Sequence, residues 1–338
     1  MSVLAALYGA VARRRRARAD APGARRRLAR PVVSVGALTV GGSGKTPVVA
    51  ALAAELRDRG ERPVILSRGY ARQRTVDGVV VVSDAAGVRA AVAVSGDEPQ
   101  MLARQLPGVP VLVCPDRYLA GRLAERRFGA TLHLLDDGFQ HLTLARDVEI
   151  LVVDAEDLAS GLLPFGRLRE GLDAARAADA VVVPGTADEA AGVAARLGVA
   201  RVFHATSGYA PLAPVDEGTA VPAEGTRIAA FAGIARPRRV FEALGARGFD
   251  IVLTRTFRDH HAYRAGELRR FAAAARAAGA EALVTTAKDA MRLPQGGAIG
   301  LPILYLPHRL TIDPADALVD WLEERLAAAR TPAAAGAA

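Results

Sequence analysis

The stretch that most limits what this chain can fold into is Val32-Val33-Ser34-Val35-Gly36 followed by Ala37-Leu38-Thr39-Val40-Gly41-Gly42-Ser43-Gly44-Lys45-Thr46-Pro47. A β-branched run enters a glycine-rich turn, and an apolar-periodic segment (Val48, Val49, Leu52, Leu56) leaves it. Strand, glycine loop, helix is the order that a phosphate-binding loop requires. Glycines let backbone N–H groups turn toward phosphate oxygens, and the helix N-terminus adds partial positive charge. Lys45 is placed to reach the β/γ-phosphates and the Thr46 hydroxyl to meet Mg²⁺. Pro47 suits a first helical turn, where its missing N–H costs nothing.

The usual pattern has glycine five residues before the Gly-Lys pair, and Thr39 stands there instead. Composition supports the nucleotide reading all the same. Of 44 basic residues only Lys45 and Lys288 are lysines. Arginine fills nearly every other basic position, so a retained lysine marks a place that needs a compact ammonium and not a planar fork. The nucleotide-binding residues are therefore read as Thr39, Val40, Gly41, Gly42, Ser43, Gly44, Lys45 and Thr46.

Apolar runs ending in polar turns recur along the chain: Val64–Leu66, Val109–Val113, Thr131–Leu135, Glu149–Val153 and Ala180–Val183. They alternate with helical patterns, which predicts an α/β fold of the phosphate-loop NTPase type. Its sheet would be mostly parallel with helices on both faces, joined to a smaller C-terminal α/β domain. The segmentation expected is a basic arm (1–30), the phosphate-loop domain (31–185), a connector and smaller domain (186–310), a helix (311–330) and a disordered tail (331–338). Cys114 is the sole cysteine, which excludes a disulfide framework and a cysteine zinc site. No apolar run approaches the roughly 18 residues of a membrane span.

The net charge of +8 is concentrated in one place. Residues 1–30 hold nine arginines against Asp20 alone, and the rest of the chain is neutral. Within this arm Leu4, Leu7, Tyr8 and Val11 fall at helical spacing ahead of the arginines. An apolar tip with a basic collar suits an anionic membrane surface, whereas a secretory signal runs basic first; no signal peptide is expected. Nucleic acid is not the expected partner, because a neutral body offers no continuing footprint.

Several turns carry candidate chemistry. Arg68 and Tyr70 follow a strand, where open α/β sheets collect ligands. Gly96-Asp97-Glu98-Pro99 reads two ways: Asp97 as the cap of a following helix, or Asp97 as a proton acceptor with Glu98 near a metal. Asp136, ending an apolar strand downstream of Lys45, can hold Mg²⁺ beside Thr46. His133 reads as a core histidine and His141, in the loop, as the functional one. Asp259, His260 and His261 place one histidine where it can partner a carboxylate.

Taken in order, Gly41-Gly42-Ser43-Gly44-Lys45-Thr46-Pro47, Ser67-Arg68-Gly69-Tyr70, Gly96-Asp97-Glu98-Pro99, Pro115-Asp116-Arg117, Asp136-Asp137-Gly138-Phe139-Gln140-His141, Asp259-His260 and Thr285-Thr286-Ala287-Lys288-Asp289 closely resemble the tetraacyldisaccharide 4'-kinase family, the lipid A 4'-kinases, over about residues 1–325. That family's loop does not use glycine at the Thr39 position; Ala37 departs from its asparagine. The resemblance implies ATP and Mg²⁺ as cofactors and phosphoryl transfer to the 4'-hydroxyl of tetraacyldisaccharide 1-phosphate, giving lipid IV-A. It implies Asp97 and His260 as the catalytic dyad and Thr46, Glu98, Asp136 and Asp137 around the metal. Arg68, Tyr70, Arg117 and His141 would meet substrate. It further implies a peripheral enzyme on the cytoplasmic face of the inner membrane, with no obligate protein partner. The alternative is a membrane-associated phosphate-loop ATPase of another pathway. A GTPase is excluded by the lack of a base-reading Asn/Thr-Lys-x-Asp motif, and a partitioning-type ATPase by Val40 where its second lysine would stand.

Overall fold

The structure, a computed structural model, describes residues 3–41, 44–70, 72–216, 218–259, 261–294 and 299–330. The expected tail 331–338, together with Gly42, Ser43 and His260, lies outside the described residues. The chain forms two compact units, one running to Ser207 and resuming at Leu310, the other Gly208–Arg309.

In the first unit a helix α1 (Val3–Ala19) precedes β1 (Val32–Gly36), α2 (Lys45–Asp58) and β2 (Pro63–Ser67). A hairpin follows, β3 (Val80–Asp84) and β4 (Gly87–Val88), and then α3 (Val92–Ser95), α4 (Asp97–Gln105), β5 (Val111–Val113) and α5 (Arg117–Phe128). The chain continues through β6 (Leu132–Asp136), β7 (Val148–Val152), β8 (Ala180–Pro184), α6 (Ala187–Leu197) and β9 (Arg201–Tyr209). The second unit holds β10 (Ala213–Pro214), β11 (Arg227–Ala232), α7 (Pro237–Gly245), β12 (Asp250–Thr256), α8 (Ala265–Ala277), β13 (Ala282–Thr286), α9 (Ala287–Ala290) and β14 (Ile303–Leu306). Finally β15 (His308–Asp313) and α10 (Ala315–Arg330) return the chain to the first unit.

The large sheet runs β15-β9-β8-β7-β1-β6-β2-β5-β3-β4. Its inner pairs from β9 to β5 are parallel, and the β3–β5 and β3–β4 pairs at one end are antiparallel. Strands buried on both faces explain the near-continuous Val/Ile/Leu runs. Alternate residues serve opposite cores: Ile150 and Val152 pack with Val48, Leu52, Leu318 and Leu322 of α2 and α10. Leu151 and Val153 pack with Val193 and Leu197 of α6. A third core sets Val32, Leu66 and Leu135 against Ala120 and Ala124 of α5. The second unit is a five-stranded sheet, β10-β14-β13-β11-β12, parallel except for β10.

The unit boundary differs from the one expected at residue 186. Pro184-Gly185 is a strand-to-helix turn, with Thr186 and Glu189 forming a reciprocal cap on α6. Helix α6 and β9 then complete the first unit's sheet layer. The C-terminal helix also belongs to this unit, since Leu318, Val319, Leu322 and Leu326 enter the α2 core. Among the described residues no helix is long and apolar enough to cross a membrane.

Candidate active site

Parallel register brings the site together. Strand β1 lies beside β6 with Val35 opposite Asp136, so the phosphate loop leaves one strand end where the Asp136-Asp137 turn leaves the next. Gly36 is required at that exit, because a Cβ there would stand 2.4 Å from the Phe139 Cβ and 2.7 Å from its backbone N. Gly44, at φ 86°, opens α2 in a backbone conformation that favours glycine. Lys45 is then the first helical residue and Thr46 is buried on the second.

The first half of the loop is anchored from outside. Thr39 donates its hydroxyl to Asp157 Oδ2 (2.8 Å), the Val40 amide donates to the Arg167 carbonyl (2.8 Å), and the Arg167 guanidinium returns to the Val40 carbonyl (3.2 Å). These bonds give Thr39 a structural use where other loops have glycine. They also commit the Thr39 hydroxyl and the Val40 N–H, two groups read from sequence as nucleotide-facing.

Thr46 Oγ1 stands 3.3 Å from Asp136 Oδ1 as its hydrogen-bond donor. Lys45 Nζ lies 3.6 Å from Asp137 Oδ1 and 3.4 Å from the Gly41 carbonyl. Burial, then the Glu98 charge, then the Asp137 charge push the Asp136 carboxyl up to about 7. Asp137 goes the other way: burial opposes its ionisation, but Lys45, Arg169 and Arg117 outweigh that and hold it below the usual range. Asp137 has φ 54°, the only non-glycine among the described residues in the left-handed region. Strained backbone of this kind concentrates at functional sites.

Asp136 beside the Thr46 hydroxyl, with Asp137 on the next residue, supplies oxygen donors of the kind a hard divalent cation takes. The buried Asp137 Oδ1 accepts no hydrogen bond. Among the described residues no group of three or more His, Cys, Asp or Glu is placed to hold a metal ion by itself. Magnesium does not need one, since it keeps waters and uses one or two carboxylates with substrate phosphates.

Asp97 is not the helix cap that the local reading allowed. Gly96 occupies the cap of α4, no side chain caps the helix, and Asp97 is its buried first residue. Asp116 fills the capping role instead on α5, accepting from the Tyr118 amide. A Cβ on Gly96 would lie 2.8 Å from the Tyr70 carbonyl, so the Arg68-Gly69-Tyr70 turn runs beside the start of α4.

Arg68 and Tyr70 are exposed, whereas Arg117 is buried with its Nη1 3.4 Å from His141 Nδ1. Burial and then Arg68 lower Arg117 to about 10; burial and then Arg117 lower His141 to about 4, so His141 is neutral at pH 7. His133 is fully buried beside Glu125. In the second unit His261 is committed locally, 2.8 Å from Glu267 and stacked on Phe257.

The sequence reading missed Asp157, Arg167, Arg169, Gln140 and Glu170. Arg169 Nη1 donates to both Asp137 Oδ2 (2.8 Å) and Gln140 Oε1 (2.9 Å). The available signal was the basic loop Leu162–Glu170, which carries two arginines and a glutamate between apolar residues.

A nucleotide loop flanked by paired carboxylates suits phosphoryl transfer, and similarity to known proteins is consistent with it. The family model described as tetraacyldisaccharide-1-P 4'-kinase matches residues 1–327. A tetraacyldisaccharide 4'-kinase of Geobacter metallireducens is 43% identical over 294 residues, covering 86% of each chain. One from Methylobacterium sp. is 42% identical over 331 residues, covering 97% of this chain and 92% of that protein. The crystal structure of the "apo" form of LpxK from Aquifex aeolicus in complex with ATP superposes with a TM-score of 0.75 at 29% identity, covering 96% of this chain and 97% of that one. By family match, coverage and fold, the chain belongs to the tetraacyldisaccharide 4'-kinase family.

Proposed function

We propose that this chain transfers the γ-phosphate of ATP to the 4'-hydroxyl of tetraacyldisaccharide 1-phosphate, giving lipid IV-A in lipid A biosynthesis. The observation that carries this reading is the meeting of Lys45, Thr46, Asp136 and Asp137 at adjacent strand ends, in a chain of this family. Backbone amides of the glycine loop and the N-terminus of α2 hold the phosphates, and Lys45 follows charge onto the β/γ oxygens. Thr46, Asp136, Asp137 and Glu98 would hold Mg²⁺, which when bound neutralises phosphate charge. Asp97, supported by His260, accepts the 4'-hydroxyl proton as that oxygen bonds to the γ-phosphorus. The bond from the γ-phosphorus to its bridging oxygen breaks and ADP leaves. Arg117 offsets phosphate charge, while Arg68, Tyr70 and His141 flank the acceptor.

The enzyme works from the cytoplasmic face of the inner membrane as a peripheral protein. Helix α1 supports this placement: Val3, Leu4, Leu7 and Val11 are exposed large apolar residues, and Arg16 and Arg18 sit in its last turn. Exposed apolar side chains beside a basic collar insert shallowly into an anionic interface.

The test incubates detergent-solubilised protein with Mg-[γ-³²P]ATP and tetraacyldisaccharide 1-phosphate and separates the lipids. Label is expected in the lipid, abolished by Lys45→Ala and strongly reduced by Asp97→Asn. ATP hydrolysis that never labels lipid, and does not depend on the acceptor, would sink the reading in favour of an ATPase of another pathway.

A further inference from the structure

The loop that anchors Val40 also holds the arm helix. Ala5 and Gly9 are the buried residues of α1, and a Cβ on Gly9 would stand 2.9 Å from Leu162 Cδ1. Two turns on, Arg16 leaves the pattern of its neighbours: Arg13, Arg14, Arg15 and Arg18 are exposed, while the Arg16 side chain is 12% exposed. Its Nε and Nη2 form a two-pronged pair with Glu170 Oε2 (2.8 Å) and Oε1 (2.9 Å), and its guanidinium lies 4.2 Å from the Phe139 ring centroid.

From Glu170 the contacts run without a gap to the phosphate loop. Gln140 Nε2 donates to Glu170 Oε1 (3.2 Å) and to the Ala37 carbonyl (3.1 Å). Gln140 Oε1 accepts from Arg169 Nη1, which also donates to Asp137 Oδ2, and Asp137 Oδ1 faces Lys45 Nζ. Each side chain is fixed by the one before it, and a partly buried network of charges is intolerant of losing a member.

We propose that Arg16 is a positioning residue, through which seating of the arm helix on the Leu162–Glu170 loop sets the geometry of Asp137 and Lys45 at the phosphate site. The proposal rests on the kinase reading. A surface arginine attracts head groups wherever it stands; Arg16 instead spends its fork on Glu170 and its face on Phe139. Lysine offers neither the fork nor the planar face.

The test uses the full-length protein in detergent, comparing Arg16→Met and Glu170→Gln with Arg15→Met, an exposed neighbour. Steady-state kcat, KM for ATP and KM for lipid are measured. Binding of a non-hydrolysable ATP analogue in EDTA gives a readout apart from turnover. Arg16 stands behind Glu170, Gln140 and Arg169, and coupling carried along such a chain of contacts is worth about 2- to 30-fold, so kcat of Arg16→Met is expected to fall by about that factor. Analogue binding should weaken with it, while KM for lipid stays within about twofold, a split that separates site geometry from uniform acceptor binding. Glu170→Gln should reproduce the loss, and the double variant should add little, as members of one network do. Arg15→Met should show any loss in the lipid KM.

Arg16→Met matching Arg15→Met in every constant would overturn the proposal. If Arg16→Met loses its fold by circular dichroism, Arg16→Lys decides. Reduced kcat in Arg16→Lys supports the relay, and parental kcat and analogue binding overturn it. Failure of the parent protein to label lipid defeats the kinase reading instead, and the analogue-binding comparison then still tests the relay.

Discussion

Replacing Asp136 by asparagine should make the metal-free protein more stable at pH 8 while removing its activity. Asp136 is buried against Glu98 and Asp137, and its carboxyl rises from an ordinary 3.8 to about 7. A carboxyl raised in the folded state stabilises the fold fully below its unfolded value and loses that contribution as pH climbs through its folded value. The relevant window is therefore pH 4 to 7, with the carboxylate charged and opposed by its neighbours at pH 8. At roughly 1.4 kcal/mol per pH unit, the change from 3.8 to about 7 bounds the penalty near ~4 kcal/mol. Relaxation of the charged form and water entering the loop reduce the expected effect to about 2 kcal/mol. Asparagine keeps an acceptor for the Thr46 hydroxyl and cannot ionise. Urea denaturation in EDTA at pH 5 and pH 8 measures the difference between variant and parent. Asp137 does not confuse the comparison, because its lowered carboxyl acts with the opposite sign and below the ordinary carboxylate range. An asparagine variant less stable than the parent at pH 8, or one with an unchanged stability gap between the two pH values, would refute the reasoning. Saturating Mg-ATP should reverse the order, because the parent alone gains the metal's binding energy.

Three other outcomes follow from packing and charge. Gly36→Ala should destabilise the first unit by about 2–3 kcal/mol and abolish transfer, because the new methyl meets Phe139 backbone that cannot move aside; thermal melting with an activity assay checks both. In the second unit, fully buried Asp289 accepts from the Gly233 amide, the Tyr263 hydroxyl and Thr286 Oγ1 and pairs with Arg292. Asp289→Ala should cost about 3–5 kcal/mol in chemical denaturation, since it removes the carboxylate beside a largely buried guanidinium and takes the acceptor from the Gly233 amide and the Tyr263 hydroxyl; a loss under about 1 kcal/mol would show that the pair contributes little. Leu4→Ser with Leu7→Ser should lower co-sedimentation with anionic vesicles on the order of 100-fold, from two apolar side chains kept out of lipid. Unchanged vesicle binding would place the membrane contact elsewhere.

The sequence by itself determined the phosphate loop, the parallel sheet and the family, because each is local. Glycines, Lys45 and Thr46 stand within a few residues of one another, and strand periodicity is written in consecutive positions. The pairing of Asp136 with Thr46 followed from the same logic, as Asp136 closes β6 and Thr46 opens the helix that follows the loop from the neighbouring β1. What the tertiary structure decided was which groups face which across long sequence separations. Nothing near Asp97 tells that Gly96 takes the cap, since that depends on the Tyr70 turn passing 2.8 Å from where a Cβ would be. Pro184-Gly185 looked like a domain edge because proline and glycine mark any turn; only the burial of α6 against β7 and β8 assigns it to the first unit. The arm looked like a uniform basic run. Its composition cannot show that one arginine of nine turns inward, because Arg16 meets Glu170 from 154 residues away. Charge is a property of composition, whereas the partner that fixes a charge is a property of the fold.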